Sequence, residues 1–124
     1  MKVSEEGQLL RVFIGESDKW KGKPLYEAIV LKAREMGLAG ATMLRGLMGY
    51  GAASRIHTAK ILRLSEDLPI IVEIVDSAEK IASFLPVIDE MVQEGLVTLE
   101  RVQVILYRHN THTAAGSSPI STST

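Results

Sequence analysis

The sequence predicts a small α+β domain in which four strands and two helices follow the order β-α-β-β-α-β. Two segments have apolar residues at helical spacing, and they end at matching Gly-Leu pairs, Gly37-Leu38 and Gly95-Leu96. Each of these segments is followed within a few residues by a predicted strand. Two such halves predict a ferredoxin-like fold, a four-stranded antiparallel sheet with both helices on one face. A length of 124 residues fits one domain of this kind.

The first half begins with a strand over residues 8–15, which is rich in β-formers and has Leu10, Val12 and Ile14 on one side. A polar loop follows, and Pro24 then suits the first turn of a helix, because the N–H that proline lacks would have no partner there. Gly37 supplies the left-handed residue that commonly ends a helix. The apolar stripe of this helix is Leu25, Ala28, Ile29, Ala33 and Met36.

A second strand over about residues 41–48 leads into a glycine-rich segment, residues 46–51. From there to about Asp67 the pattern is that of a long excursion away from the sheet. The third strand, residues 68–75, is an almost unbroken run of β-branched residues. Such a run predicts burial on both faces, or a subunit interface on one of them.

The second helix opens at Asp76-Ser77-Ala78-Glu79, which has the pattern of a capping box, and it ends at Gly95. Pro86 lies within its apolar stripe, so we expect the helix to kink there. The fourth strand is predicted over residues 97–107. The stripe of the second helix is Ile81, Phe84, Leu85, Ile88, Met91 and Val92.

Composition excludes several classes of protein. A net charge of −1 supplies no basic field for a phosphate backbone, so we expect no nucleic-acid partner. The absence of cysteine excludes disulfides and thiolate metal sites. No apolar stretch resembles a signal peptide or a membrane span, so we expect a cytoplasmic protein without membrane insertion. Residues 1–108 are predicted to form the domain and residues 109–124, rich in Thr and Ser, a disordered tail.

The face of the sheet away from the helices is predicted to be uncovered and apolar. A patch of this size on a small chain normally marks an interface, so we predict a homo-oligomer that packs through its sheets. The residues expected on this face include Phe13, Leu44, Met48, Ile71, Val75 and Ile105.

The segment Arg45–Thr58 is the main candidate for a ligand site. Three glycines between residues 46 and 51 let backbone amides approach an anion closely, and Arg45 and Arg55 have the charge to neutralise phosphate. The segment has neither the Gly-Lys-Ser/Thr ending of a P-loop nor the glycine order of a dinucleotide-binding turn. The alternative is therefore a glycine-rich bend that precedes a mobile loop.

Residues 16–23 are a second candidate, because carboxylates and lysines meet there at a strand end. They could bind a cation or an anionic ligand, and Trp20 could stack on a base; a solvated charged loop is the favoured alternative. Whether they join a cleft with a neighbouring subunit is open. The charged residues are Glu16, Asp18, Lys19, Lys21 and Lys23.

These motifs together resemble the PII signalling superfamily, and most closely its uncharacterised PII-like family. PII proteins carry a Gly-Phe-Gly turn after their second strand and a nearby His-Thr; Gly49-Tyr50-Gly51 and His57-Thr58 occupy that context here. The closer family has an Arg-Gly pair before the turn, a Leu-Pro at the third strand and a Val-Asp at its end. Arg45-Gly46, Leu68-Pro69 and Val75-Asp76 match these.

The resemblance covers about residues 8–108 and implies a homotrimer with ligand clefts between subunits. It implies a non-enzymatic regulator that senses a small ligand, either an adenine nucleotide or a small anion. The long loop over residues 49–66 would then signal to a transporter or a regulatory protein. The glycine-rich loop ending in Gly-Lys, with which PII proteins hold phosphates, is absent from residues 93–97, so we do not expect the usual ATP contacts. The candidate ligand-binding residues are Arg45, Gly49, Tyr50, Gly51, Arg55, His57, Thr58 and Arg108, although Tyr50 equally suits a packing role.

The main alternative is a trimeric metal-binding protein or small-molecule enzyme of the same build, with His57 near Glu66 or Asp67 as its chemistry. His109 and His112 form at most a weak metal pair, because no carboxylate accompanies them. An RNA-recognition module shares the order of elements but needs stacking aromatics on its central strands. The third predicted strand contains none.

Overall fold

The computed structural model describes residues 5–50, 57–58 and 68–108 of the chain. The predicted tail, residues 109–124, lies outside them. Among the described residues, no helix is long and apolar enough to cross a membrane. The elements are β1 (Glu5–Gly15), β2 (Lys19–Trp20), β3 (Lys23–Pro24), α1 (Leu25–Glu35), β4 (Thr42–Arg45), β5 (Met48–Gly49), β6 (His57–Thr58), β7 (Pro69–Asp76), α2 (Ala78–Met91) and β8 (Leu96–Val104).

The main sheet has the strand order β4-β7-β1-β8, and every neighbouring pair is antiparallel. Val12 at its centre pairs with Val72 on one side and Val97 on the other. The ferredoxin-like fold and the β-α-β-β-α-β order are therefore confirmed. The additional short strands form two-stranded ribbons, β2 with β3 and β5 with β6.

The core lies between the sheet and the two helices. Alternate residues of β1 and β7 are buried, as expected for strands that cover a core with one face. Both helical stripes are confirmed, and Phe84 of α2 is fully buried. Burying each large side chain of this kind contributes about 1.5–3 kcal/mol. The largest fully buried side chains are Phe84, Leu10, Ile29, Ile70, Ile74, Ile81, Val12 and Val72.

The start of α2 differs from the predicted capping box. Ser77 is the N-cap residue, and its hydroxyl accepts a hydrogen bond from the Lys80 amide at 3.2 Å. Asp76, only 4% exposed, instead accepts hydrogen bonds from the Ala39 amide (2.8 Å) and the Ser77 amide (2.6 Å). Asp76 thus joins the end of β7 to the loop before β4. The helix runs through the exposed Pro86, and the kink stays a prediction. The predicted end at Gly95 was wrong, because the helix ends at Met91 and Val92 is its C-cap residue.

The polar loop after β1 folds into a hairpin rather than remaining irregular. Trp20 pairs with Lys23, and the residues between them, Lys21 and Gly22, have φ values of 47° and 88°. Two positive φ values in succession are typical of the type I′ turn, which suits the twist of two-residue hairpins. The ammonium group of Lys21 lies 5.2 Å from the centre of the Trp20 ring. Pro24 is the N-cap residue of α1, so the helix begins one residue later than predicted.

The face of the sheet opposite the helices is uncovered, as predicted. The pairing register places Phe13, Ile71 and Leu44 side by side there, because Ile71 pairs with both of the others. Val75 shares this face with Ile71, four residues along the same strand. The prediction was wrong for two residues, because Met48 lies in β5, outside the main sheet, and Ile105 follows the end of β8.

A charged group lies at the centre of this open face. Arg11 donates from Nε to Glu73 at 3.0 Å and from Nη1 to Glu100 at 3.2 Å. Hydrogen bonding to Glu73 raises the pKa of the Arg11 guanidinium, with a further contribution from the charge of Glu100. The three side chains come from β1 and its two neighbours, so they connect three adjacent strands across the open face.

Candidate functional site

The candidate site lies where the chain leaves the main sheet after β4. The predicted strand over residues 41–48 is in fact two strands, because β4 ends at Arg45 and β5 pairs with β6 instead of β7. Gly49 pairs with His57, and Met48 with Thr58. The structure therefore brings the predicted site residues Gly49 and His57 together in one short ribbon at the mouth of the long connection.

The glycines of this segment have a packing role that the sequence did not reveal. A Cβ atom on Gly46 would lie 2.9 Å from Pro69 Cγ, and one on Gly49 would lie 3.1 Å from the same atom. Both positions therefore fit closely against the Pro69 ring. The Gly46 amide donates to the Pro69 carbonyl at 2.8 Å, so it extends the ladder between β4 and β7 and is not free to bind an anion.

The two candidate segments meet through an ion pair. Arg45 donates from Nη2 to Glu16 Oε2 at 2.7 Å, and the side chains are 46% and 28% exposed, respectively. Glu16 also donates its backbone N–H to the Leu68 carbonyl at 2.8 Å. Because β7 lies between β1 and β4 in the sheet, the pair crosses over the start of β7. Arg45 is thus held at the point where the connection from β5 rejoins the main sheet.

Two further predicted residues are exposed. Tyr50 is 70% exposed among the described residues, and its suggested packing role stays a prediction. Arg108 is exposed and follows β8, whose end lies beside Glu5. Tyr107, the residue before Arg108, donates a hydrogen bond to the Ala39 carbonyl just before β4, whereas Arg45 is the last residue of β4. Within one chain, the structure does not bring Arg108 to Arg45. Gly51 and Arg55 lie outside the described residues.

The hairpin of β2 and β3 follows Glu16 at the same end of the sheet. Its lysines, Lys19, Lys21 and Lys23, are exposed, while Trp20 packs partly against the core. Asp18 accepts a hydrogen bond from the Gly15 amide at 3.0 Å, which shapes the loop. This end of the molecule therefore presents exposed ammonium groups on a well-defined turn close in sequence to the Arg45–Glu16 pair.

The part of the chain that the structure describes contains no cluster of three or more His, Cys, Asp or Glu residues suited to a metal ion. A groove of about 380 Å³ lies at the opposite end of the sheet from Arg45, and sequence reasoning did not find it. Asp76, Thr42 and Tyr107 are among its lining residues, and the Tyr107 hydroxyl donates to the Ala39 carbonyl at 3.2 Å. The available signal was Tyr107-Arg108 beyond the last strand, which by itself indicates only a strand end.

Comparison with sequence families gives one strong match. The model of the DUF190 family, described as "Uncharacterized ACR", matches residues 7–104. A UPF0166 protein of Aquifex aeolicus is 44% identical over 98 residues, which cover 79% of this chain and 92% of that protein. A UPF0166 protein of Methanocaldococcus jannaschii is 34% identical over 95 residues, covering 76% and 87% of the two chains.

Solved structures share the fold at low sequence identity. One is CPII, a nitrogen regulatory PII-like protein from Thiomonas intermedia K12, solved with ADP, AMP and bicarbonate; its TM-score is 0.58 at 17% identity, over 82% of this chain and 90% of that one. Another is a putative PII-like signaling protein from Thermus thermophilus, with a TM-score of 0.60 at 17% identity, over 84% and 94%. These matches confirm the PII-like fold that the resemblance implied.

Proposed function

Because the chain belongs to the DUF190 family and has a PII-like fold, we propose that it is a regulatory protein that binds a small anionic ligand at clefts between its subunits. The observation that carries this proposal is the position of Arg45, a half-exposed guanidinium at the mouth of the connection between β5 and β7. CPII, which shares the fold, was solved with ADP, AMP and bicarbonate, and this makes an adenine nucleotide the first ligand to test.

Arg45 has the chemistry that a phosphate or carboxylate ligand requires. A guanidinium presents several N–H donors in a plane and can form two parallel hydrogen bonds to such a group. In the structure one of these donors is bound to a carboxylate, Glu16, which acts as an anion at this position. The exposed lysines of the β2–β3 hairpin add positive charge at the same end of the sheet. We expect Gly49, Gly51, Arg55, His57 and Thr58 to complete the ligand contacts.

A homotrimer is part of the proposal for two reasons. The open face of the sheet carries apolar side chains that a neighbouring copy would bury, which favours association. The structure does not bring Arg45 and Arg108 together within one chain, and a cleft between subunits would let Arg45 of one chain and Arg108 of a neighbour contact the same ligand. The trimer that the resemblance to PII proteins implies would satisfy both conditions.

Signalling would pass through the connection between β5 and β7. A ligand on Arg45 would change the contacts at both ends of that connection and so alter its affinity for a protein partner. The connection includes Arg55, Lys60 and Arg63, charges suited to an acidic surface on a transporter or regulatory protein. We expect stoichiometric binding without turnover, in the cytoplasm.

The alternative function, a trimeric metal-binding protein or enzyme, has no observation in its favour among residues 5–50, 57–58 and 68–108. Its suggested partners for His57, Glu66 and Asp67, lie outside those ranges. Incubation of the purified protein with ATP and ADP, followed by chromatography of the nucleotides, distinguishes the two functions. Conversion of either nucleotide would support the alternative.

Calorimetric titration with ADP, ATP, AMP and bicarbonate tests the proposed function, after light scattering has given the mass of the assembly. We expect saturable binding of at least one of these ligands to a trimer. Arg45→Ala should weaken it about 10- to 150-fold, because a hydrogen bond to a charged group contributes about 1.5–3 kcal/mol.

Arg34→Ala is the matched control for charge, since Arg34 lies in the last turn of α1, at the far end of the helix from the site. We expect it to leave the affinity within a factor of about two. A protein that binds none of these ligands, or loses equal affinity in both variants, would contradict the proposal.

A further inference from the structure

Glu16 binds the Arg45 guanidinium, the group that the proposed function assigns to the ligand. The separation of 2.7 Å between Nη2 and Oε2 is a short, charge-assisted hydrogen bond. We propose that Glu16 is an internal competitor of the ligand: it binds Arg45 in the free protein and must be displaced before an anion can bind there. This inference rests on the proposed function of the site and adds to it the residue that sets its affinity.

The backbone on both sides of the pair is fixed, which keeps the carboxylate within reach of the guanidinium. The Glu16 N–H donates to the Leu68 carbonyl at 2.8 Å, and the Gly46 amide, next to Arg45, donates to the Pro69 carbonyl at 2.8 Å. Both acceptors lie at the start of β7. A carboxylate held in this way competes as an intramolecular group, with an effective concentration of the order of millimolar or more. Because the carboxylate belongs to the same chain, its competition does not depend on the protein concentration, and salt weakens it as it weakens other partly exposed ion pairs.

The competition reduces the apparent affinity for any anion that needs Arg45. The apparent affinity is the intrinsic affinity multiplied by the fraction of molecules in which the pair is open. For a partly exposed pair of this kind, the usual strength of surface ion pairs corresponds to a reduction of about two- to sixfold. Opening the pair removes one side-chain contact between the ends of β1 and β4, while the backbone hydrogen bonds of both ends to the Leu68 and Pro69 carbonyls remain.

The test is a titration of the full chain with ADP. Calorimetry and the fluorescence of Trp20, the single tryptophan of the sequence, both measure the binding. Glu16→Gln removes the charge, and Glu16→Asp keeps the charge but shortens the side chain. Glu94→Gln is the matched control, since Glu94 is an exposed carboxylate before β8 at the same end of the sheet. The same Glu16→Gln change is also made in the Arg45→Ala background.

We expect Glu16→Gln to bind ADP about two- to sixfold more tightly than the unmodified protein, the range set by the usual strength of a surface ion pair, and Glu16→Asp to bind it more tightly as well. Glu94→Gln should leave the affinity unchanged, and Glu16→Gln should have no effect once Arg45 is alanine. Binding by Glu16→Gln alone, with none by the unmodified protein, would also support the inference.

If the unmodified protein binds ADP but Glu16→Gln does not tighten it beyond Glu94→Gln, the inference is overturned while the proposed function stands. If no variant binds ADP, the inference is overturned, and the titration with ATP, AMP and bicarbonate decides the proposed function. Circular dichroism of each variant shows that the fold is retained, and a misfolded Glu16→Gln leaves Glu16→Asp to decide the result.

Discussion

Replacing Asp76 by alanine tests the role that the structure gives to a buried carboxylate between β7 and α2. Asp76 is 4% exposed and accepts hydrogen bonds from the Ala39 and Ser77 amides at 2.8 and 2.6 Å. The alanine variant removes both acceptors and leaves two backbone N–H groups without these partners. An unsatisfied buried donor costs about 1–3 kcal/mol. Since Ala39 and Ser77 are only half-buried and water can reach them in part, we expect a loss of about 2–4 kcal/mol.

Urea unfolding at one fixed protein concentration measures this loss, with Trp20 fluorescence and circular dichroism as independent signals. A fixed concentration is needed because the stability of an oligomer depends on it. With an m-value of about 2 kcal/mol per molar, the midpoint should fall by about 1–2 M urea. Asp76→Asn keeps one acceptor oxygen and should lose roughly half as much.

Asp89→Ala is the control, because Asp89 lies exposed on α2 and should change the stability by less than about 0.5 kcal/mol. A midpoint for Asp76→Ala that equals that of Asp89→Ala would refute the reasoning. It would mean that the two amides find equivalent partners in water, and that Asp76 does not hold the β7 end to the loop before β4.

Two further predictions concern packing and assembly. Gly46→Ala should destabilise the fold by about 1–3 kcal/mol in the same urea assay, because its Cβ would lie 2.9 Å from the Pro69 ring. Adding Pro69→Ala in the same chain should recover most of this loss of stability. Losses that add in the double variant would contradict the prediction. Arg11→Ala should weaken association in light scattering over a concentration series, because it leaves two carboxylates on the open face without their cation. The exposed Arg101→Ala should not, and equal behaviour of the two variants would argue against an interface on this face.

Much of the fold could be predicted because its signals are local. The stripes of both helices and the alternation in β1 repeat every few residues, so they follow from periodicity alone. The cap of α2 was assigned one residue too early, since Asp76 and Ser77 are both good cap residues and only the contact with Ala39 distinguishes them. That contact joins residues 37 positions apart, which no local pattern contains.

The candidate site was predictable in composition and not in geometry. Arg45 was identified from its glycine-rich neighbourhood, whereas its ion pair with Glu16, 29 residues earlier, required the strand order of the sheet. Similarly, the glycines were expected to admit an anion, and the structure shows two of them against the ring of a proline that follows the long connection. The sequence identifies glycines as residues with wide conformational freedom. A close approach between two distant segments is visible only in the three-dimensional structure.

The contact of Gly46 and Gly49 with Pro69 has a consequence for how the chain can vary in length. The register between β4 and β7 is set by this contact and by the hydrogen bond from Gly46 to Pro69, both of which lie outside the intervening segment. Residues inserted between positions 50 and 67 would therefore leave the pairing of the main sheet unchanged. Doubling the length of such a segment costs only about 0.6 kcal/mol of closure entropy. The connection can thus lengthen or shorten while the sheet that carries Arg45 stays the same.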